Sequence, residues 1–146
     1  MAFFSRLRRV NVFTDGAIRP ELGKSGLAAI VQDERGQIRY WWSRCAGRMT
    51  CNEAEYAAVI LAIESLRRLR ILEVDIFSDS QVVVHQMSGL ASAKAPALRQ
   101  AQARLRGLLV GFERVTFHHI PREQNRLADA LANEAVEKGT AHDERT

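Results

Sequence analysis

The sequence predicts an α/β domain built on one mixed sheet of five strands flanked by helices. Three observations carry that prediction. Alternating β-branched and aromatic residues at Val10-Asn11-Val12-Phe13-Thr14 read as a strand, Ala-, Leu- and Glu-rich runs further on read as helices, and the two types then interleave. At 146 residues with 47% hydrophobic content, the chain suits a single core. Residues 1–9 are expected to be an N-terminal extension, 10–138 the domain, and 139–146 a polar tail without order.

The first strand runs into Asp15-Gly16 and is expected to end at the glycine. A carboxylate closing an apolar strand is desolvated unless a cation, a basic partner or a hydrogen-bond donor meets it; the plainer alternative is a turn aspartate. The loop from Ala17 to Gly26, with a proline and two glycines, returns the chain antiparallel as Leu27–Gln32. Asp33-Glu34-Arg35-Gly36 then turns it into Gln37–Ser43, completing a meander. Strand alternation puts Trp41 and Trp42 on opposite faces, so one belongs to the core; the other packs under a later loop or stacks on a nucleic-acid base.

Thr50 to Leu69 is a helix, with Thr50 or Asn52 able to cap its start and Arg67, Arg68 and Arg70 at the negative end of its dipole. Glu55 lies in its first turns, near the face that Ala54 and Ala58 bury, whereas Glu53 points elsewhere. Glu73–Ser78 alternates as a strand and meets Asp79. If this strand lies parallel beside the first, as a strand–helix–strand crossover requires, Asp15 and Asp79 emerge on one edge of the sheet, where open α/β sheets place their sites. The alternative for Asp79 is a helix N-cap. A short helix follows from Val82 to Met87, then a small-residue connector, Ser88–Pro96, and a long helix, Ala97–Gly111. Arg114–His119 forms the fifth strand, Pro121–Asn125 a polar loop, and Arg126–Lys138 a last helix that carries Asp129 beside its apolar stripe.

The net charge of +4 and pI near 9.6 favour a polyanionic partner met by a basic face, since the arginines are spread along the chain. Cys45 and Cys51, six residues apart, lack zinc-ligand spacing and read as reduced thiols, which fits the cytoplasm. The first nine residues hold no signal-peptide apolar core, and no run approaches the roughly eighteen apolar residues of a membrane helix, so no membrane association is expected.

Thr14-Asp15-Gly16, Asn52-Glu53-Ala54-Glu55, Ser78-Asp79-Ser80-Gln81 and Asn125-Arg126-Leu127-Ala128-Asp129 together resemble the signature segments of type 1 ribonuclease H, in the family's chain order. The resemblance covers Asn11 to Lys138. It implies the ribonuclease H-like fold and a monomeric endoribonuclease that hydrolyses the RNA strand of RNA–DNA hybrids. Asp15, Glu55, Asp79 and Asp129 are its implied catalytic and metal-binding residues, holding two Mg2+ ions, with Mn2+ able to substitute. Acids packed this closely repel one another and take up protons unless divalent cations compensate them, and hard oxygen ligands select magnesium or manganese. Two such ions roughly 4 Å apart can activate a water and stabilise a leaving oxygen. The resemblance further implies that Asp15 bridges both ions, Asp129 serves the water-activating ion, and Glu55 with Asp79 serve the ion at the leaving 3′-oxygen. Cleavage then leaves 5′-phosphate and 3′-hydroxyl ends.

The same matches give substrate contacts. Asn52 and Gln81 fall where family members touch the hybrid minor groove, and amides suit the sensing of 2′-hydroxyls. Thr50 resembles the residue that seats a DNA-strand phosphate, the Gly26 backbone is expected near the duplex, and Asn125 is expected to join these contacts. Thr50 and Asn52 can also act as caps.

Two departures stand out. Many bacterial members insert a basic, tryptophan-containing helix between the two central helices, and Gly89–Pro96 is too short and too poor in charge to hold one. Weaker binding or an additional module is implied. Many members also use a histidine before the last acid to help product release. His119 lies ten residues before Asp129, the expected spacing, with Arg122 or Glu123 as alternatives and a plain strand histidine as the third reading. Alternative functions are a nuclease of this fold acting on another duplex, such as double-stranded RNA, and a non-catalytic nucleic-acid-binding module.

Overall fold

The computed structural model describes residues 7–139 and 141–145; residues 1–6 of the expected extension lie outside them. Five strands follow the expected order of elements: β1 (Arg9–Arg19), β2 (Lys24–Gln32), β3 (Ile38–Ala46), β4 (Glu73–Ser78) and β5 (Arg114–His119). Four helices accompany them: α1 (Cys51–Arg68), α2 (Gln81–Met87), α3 (Pro96–Leu109) and α4 (Arg126–Lys138). The first three strands are antiparallel, and β4 and β5 add parallel to β1, in the spatial order β5-β4-β1-β2-β3.

Beyond β3 the sheet gains a sixth strand. His142–Arg145 (β6) pairs antiparallel with Tyr40–Ser43 of β3, within the tail expected to lack order. An outer strand presents a row of unsatisfied backbone groups that a polar tail can pair without burying any apolar side chain, so composition alone does not reveal it.

The second departure concerns β1, which does not end at Gly16. Its parallel ladder with β4 stops at Thr14 opposite Ser78, but its antiparallel ladder with β2 continues to Arg19 opposite Lys24. The hairpin turn is a single 3-10 turn at Pro20–Leu22, closed by Gly23 in the left-handed region. Gly16 is required by packing, since a Cβ there would lie 2.5 Å from the Ala54 carbonyl carbon of α1.

Strand alternation sends Val10, Val12 and Thr14 of β1 with Val74, Ile76 and Ser78 of β4 toward α1, where Tyr56, Val59, Ile63 and Leu66 close the main core. Trp42 is buried in it and Trp41, on the opposite face, is half-buried. α4 packs across β1, β2 and β3 on the other side of the sheet. Among the described residues no helix is long and apolar enough to cross a membrane.

Candidate metal centre

The site begins with the register between β1 and β4. Because Thr14 stands opposite Ser78, the next residue on each strand, Asp15 and Asp79, emerges at the same end of the parallel ladder. Asp79 does not cap α2. That position belongs to Ser80, whose hydroxyl accepts the Val83 N–H at 3.3 Å.

Glu55 arrives from α1. The capping box of Thr50 and Glu53 fixes where this helix starts, with Thr50 Oγ1 accepting the Glu53 N–H at 3.2 Å and Glu53 Oε1 accepting the Thr50 N–H at 3.0 Å. The bare backbone of Gly16 lets the helix close on β1, and the Gly16 N–H donates to Glu55 Oε1 at 2.6 Å. One carboxylate oxygen from each of Asp15, Glu55 and Asp79 then lies within 4.8 Å of the other two. Asp129, in the first turn of α4, comes within hydrogen-bond reach of Asp15 from the opposite side of the sheet. Asp15 therefore stands between the Glu55–Asp79 pair and Asp129.

Asp15 is 5% exposed and Glu55 8%. Burial first, then the neighbouring Glu55 and Asp79 charges, push Asp15 up to about 10. Burial and the Asp79 charge push Glu55 up to about 7, against the opposing hydrogen bonds of Asp15 and the Gly16 N–H.

Asp75 makes the contrast. Burial alone would raise it too, yet the Thr116 hydroxyl, Arg9 at 3.1 Å and Arg114 at 3.2 Å hold it below the ordinary carboxylate range. One buried acid thus has its cations within the fold, whereas among the described residues no ion pair reaches Asp15, Glu55 or Asp79. A close set of hard oxygen donors that must stay partly protonated without a cation fits a divalent ion of the magnesium or manganese type.

The acids sit in an open cleft of about 760 Å³ whose walls include Asn52, Gln81, His119 and Arg122. Gln81 is exposed and Asn52 half-buried, so both amides face the cleft. Thr50 is exposed at the N-cap of α1, beside Cys51 on the cleft wall. His119 ends β5, exposed and on the cleft wall. Arg122, in the 3-10 turn Arg122–Gln124, is the basic group beside the acids, its Nη2 3.6 Å from Asp129 Oδ1.

Two residues expected to contact substrate, Gly26 and Asn125, are not among those lining the cleft. Gly26 is buried beneath α4, where a Cβ would meet the Ala132 carbonyl oxygen at 2.0 Å, so the absence of a side chain serves helix packing. Asn125 is only 2% exposed and its Nδ2 donates to the Thr14 carbonyl at 2.8 Å, tying the loop before α4 to β1 next to Asp15. It holds the site together from beneath. Two residues not anticipated from the sequence, Arg19 and Asn133, also line the cleft. Asn133 was legible as a neighbour of Asp129, since positions four apart share a helix face.

Residues 13–135 match the reverse transcriptase-like family model. Ribonuclease HI of Halobacterium salinarum is 36% identical over 129 residues, covering 88% of this chain and 65% of the relative. Bifunctional protein Rv2228c of Mycobacterium tuberculosis is 32% identical over 130 residues, covering 88% of this chain and 36% of the relative. The chain thus spans about two thirds of the first relative and about a third of the second. Among solved structures, RNase H1 from Halobacterium salinarum superposes with a TM-score of 0.85 at 36% identity, covering 89% of this chain and 98% of that one. LC11-RNase H1 in complex with an RNA/DNA hybrid superposes with a TM-score of 0.84 at 34% identity, covering 89% and 98%.

Proposed function

This chain belongs to the type 1 ribonuclease H family, and from that premise we propose that it is a metal-dependent endoribonuclease that hydrolyses the RNA strand of RNA–DNA hybrids. The observation that carries this reading is the meeting of Asp15, Glu55, Asp79 and Asp129 in one cleft, with no ion pair to the first three among the described residues.

Asp15, Glu55, Asp79 and Asp129 would be the residues that hold the divalent cations, Asp15 being the one close to both Glu55 and Asp79 and within reach of Asp129. Mg2+ or Mn2+ bound there supplies charge stabilisation and a water acidic enough to attack phosphorus near neutral pH. The protein's part is placement. Gly16 N–H holds Glu55 from one side, and Asn125, at the N-cap of α4, ties the start of the helix that carries Asp129 to β1. Asn52 and Gln81 offer amides toward the minor groove of a hybrid, where a 2′-hydroxyl separates RNA from DNA. Thr50, exposed at the start of α1, suits a DNA-strand phosphate. Arg122 stands where it can meet the phosphate freed on cleavage, a role for which His119 is the second candidate on the same wall. The products of this reading carry 5′-phosphate and 3′-hydroxyl ends. A monomer working in the cytoplasm is part of the proposal, and the free thiols of Cys45 and Cys51 fit that compartment.

The test is cleavage of matched end-labelled RNA–DNA, RNA–RNA and DNA–DNA duplexes with Mg2+, with Mn2+ and with chelator. Internal cuts confined to the RNA strand of the hybrid, and lost on chelation, are expected. Metal-dependent cutting of RNA–RNA instead would keep the site and move the substrate, and binding without cutting under either metal would make the chain a nucleic-acid-binding module.

A further inference from the structure

Asp129 differs from the other three acids in how it is held. It is a third exposed at its side chain and it projects from the first turn of a helix. Its Oδ1 is nonetheless occupied. Asn133, one turn further along α4, donates from Nδ2 to the Asp129 carbonyl at 2.8 Å and to Asp129 Oδ1 at 3.2 Å.

An asparagine amide can present either its oxygen or its nitrogen, and only its surroundings decide which. Here the decision comes from β1. Arg19 Nη2 donates to Asn133 Oδ1 at 2.5 Å and to Glu137 Oε1 at 2.8 Å, while Arg19 Nη1 donates to the Ile18 carbonyl at 2.9 Å. A guanidinium has donors only, so Arg19 obliges Asn133 to turn its oxygen to β1 and therefore its N–H toward Asp129.

We infer that Arg19 and Asn133 form a positioning relay that sets the Asp129 carboxylate for metal binding, keeping Oδ1 engaged so that Oδ2 is the oxygen left to a cation. The inference rests on the reading of this cleft as a divalent-metal site. Neither residue touches the reacting atoms. Arg19 acts through Asn133, and Asn133 through Asp129, as the outer partners of metal ligands commonly do. The continuation of β1 past Gly16 has a use in this arrangement: only a strand running on to Arg19 brings a guanidinium over the second turn of α4.

The experiment compares the wild type with Asn133→Ala, Asn133→Asp, Arg19→Ala and the double variant Arg19→Ala/Asn133→Ala, all as the full chain. Three readouts apply: Mn2+ binding by calorimetry without substrate, kcat and KM on a hybrid across a Mg2+ titration, and thermal melting in chelator. Asn133→Ala is expected to weaken metal binding and raise half-saturating Mg2+ roughly tenfold, with KM for the hybrid unchanged. Asn133→Asp is the sharper variant. It keeps the size and the Arg19 partner but turns the donor into an acceptor facing Asp129, and it is expected to lose at least as much.

The double variant is expected to match the single asparagine variant, because two links of one chain do not add. Unchanged metal binding in both Asn133 variants, or losses that multiply in the double variant, would overturn the relay. If Arg19→Ala fails to fold, Asn133→Asp still decides, since it retains both ends of the network. Failure of the wild type to cut a hybrid would overturn the functional reading, while the calorimetric comparison would still judge the relay.

Discussion

Replacing Asp15 by Asn should kill hydrolysis and, in the absence of metal, stabilise the fold. The three acids of the cluster offer oxygens within 4.8 Å of one another. At an effective dielectric constant of about 20, two like charges at that separation repel by about 3 kcal/mol. The metal-free wild type relieves part of this by keeping a proton on Asp15, whose folded value is pushed up to about 10 by burial and by Glu55. Holding that proton grows harder as pH rises.

Asparagine keeps the shape and needs no proton taken up on folding, so the expected gain is about 1–3 kcal/mol at mildly alkaline pH. For a domain of this size that is a rise in Tm of about 3–9 °C. The assay is a pair of thermal melts in chelator, repeated with millimolar Mg2+. Metal should narrow the gap, because it stabilises the wild type by mass action and leaves the variant largely unaffected. A variant clearly less stable than wild type in chelator would refute the reasoning, since it would mean that the Asp15 charge is already compensated within the fold.

Three further outcomes follow from the same geometry. Metal-free stability should fall as pH rises, because both folded values, about 10 for Asp15 and about 7 for Glu55, exceed the unfolded 3.8 and 4.5; the native state binds more protons across that window, and melts from acid to alkaline pH should show the decline and its flattening by Mg2+. Gly16→Ala forces a methyl into the Ala54 backbone and breaks the seat of Glu55; a loss of about 1–3 kcal/mol in chemical denaturation, with activity falling further than stability, is expected. Asn125→Ala removes the buried bond to the Thr14 carbonyl and should lose about 1–3 kcal/mol in the same assay, with no change in the salt dependence of hybrid binding if its role is this buried bond.

The fold was legible because each element announces itself locally. The alternation of Val10, Val12 and Thr14, the capping sequence at Thr50 and Glu53, and the strand–helix–strand spacing that makes β1 and β4 parallel all act over a few residues. The four acids were legible for a related reason. Each lies in a short local segment, and the four segments together carry the ribonuclease H resemblance; taken singly, Asp15 reads also as a turn residue and Asp79 as a helix cap.

Less visible was whatever depends on two distant backbones meeting. Gly16 and Gly26 read as loop or contact glycines, yet one accommodates Ala54 and the other Ala132, contacts 38 and more than 100 residues away in the chain. Asn125 reads as a polar loop residue, and only the closure of α4 onto β1 turns it inward to Thr14. Arg19 reads as one cation among many until β1 is seen to continue past Gly16. The pairing of β6 with β3 is a backbone event that a polar tail's composition does not encode.

The most direct test of the central claim is a single assay: Mg2+-dependent cleavage of an end-labelled RNA–DNA hybrid by the wild type and by Asp15→Asn, Glu55→Gln, Asp79→Asn and Asp129→Asn. If the four carboxylates form one metal centre, the wild type cuts only the RNA strand and each amide variant loses at least about a hundredfold in rate. A variant among the four that cuts at the wild-type rate would contradict a four-acid centre.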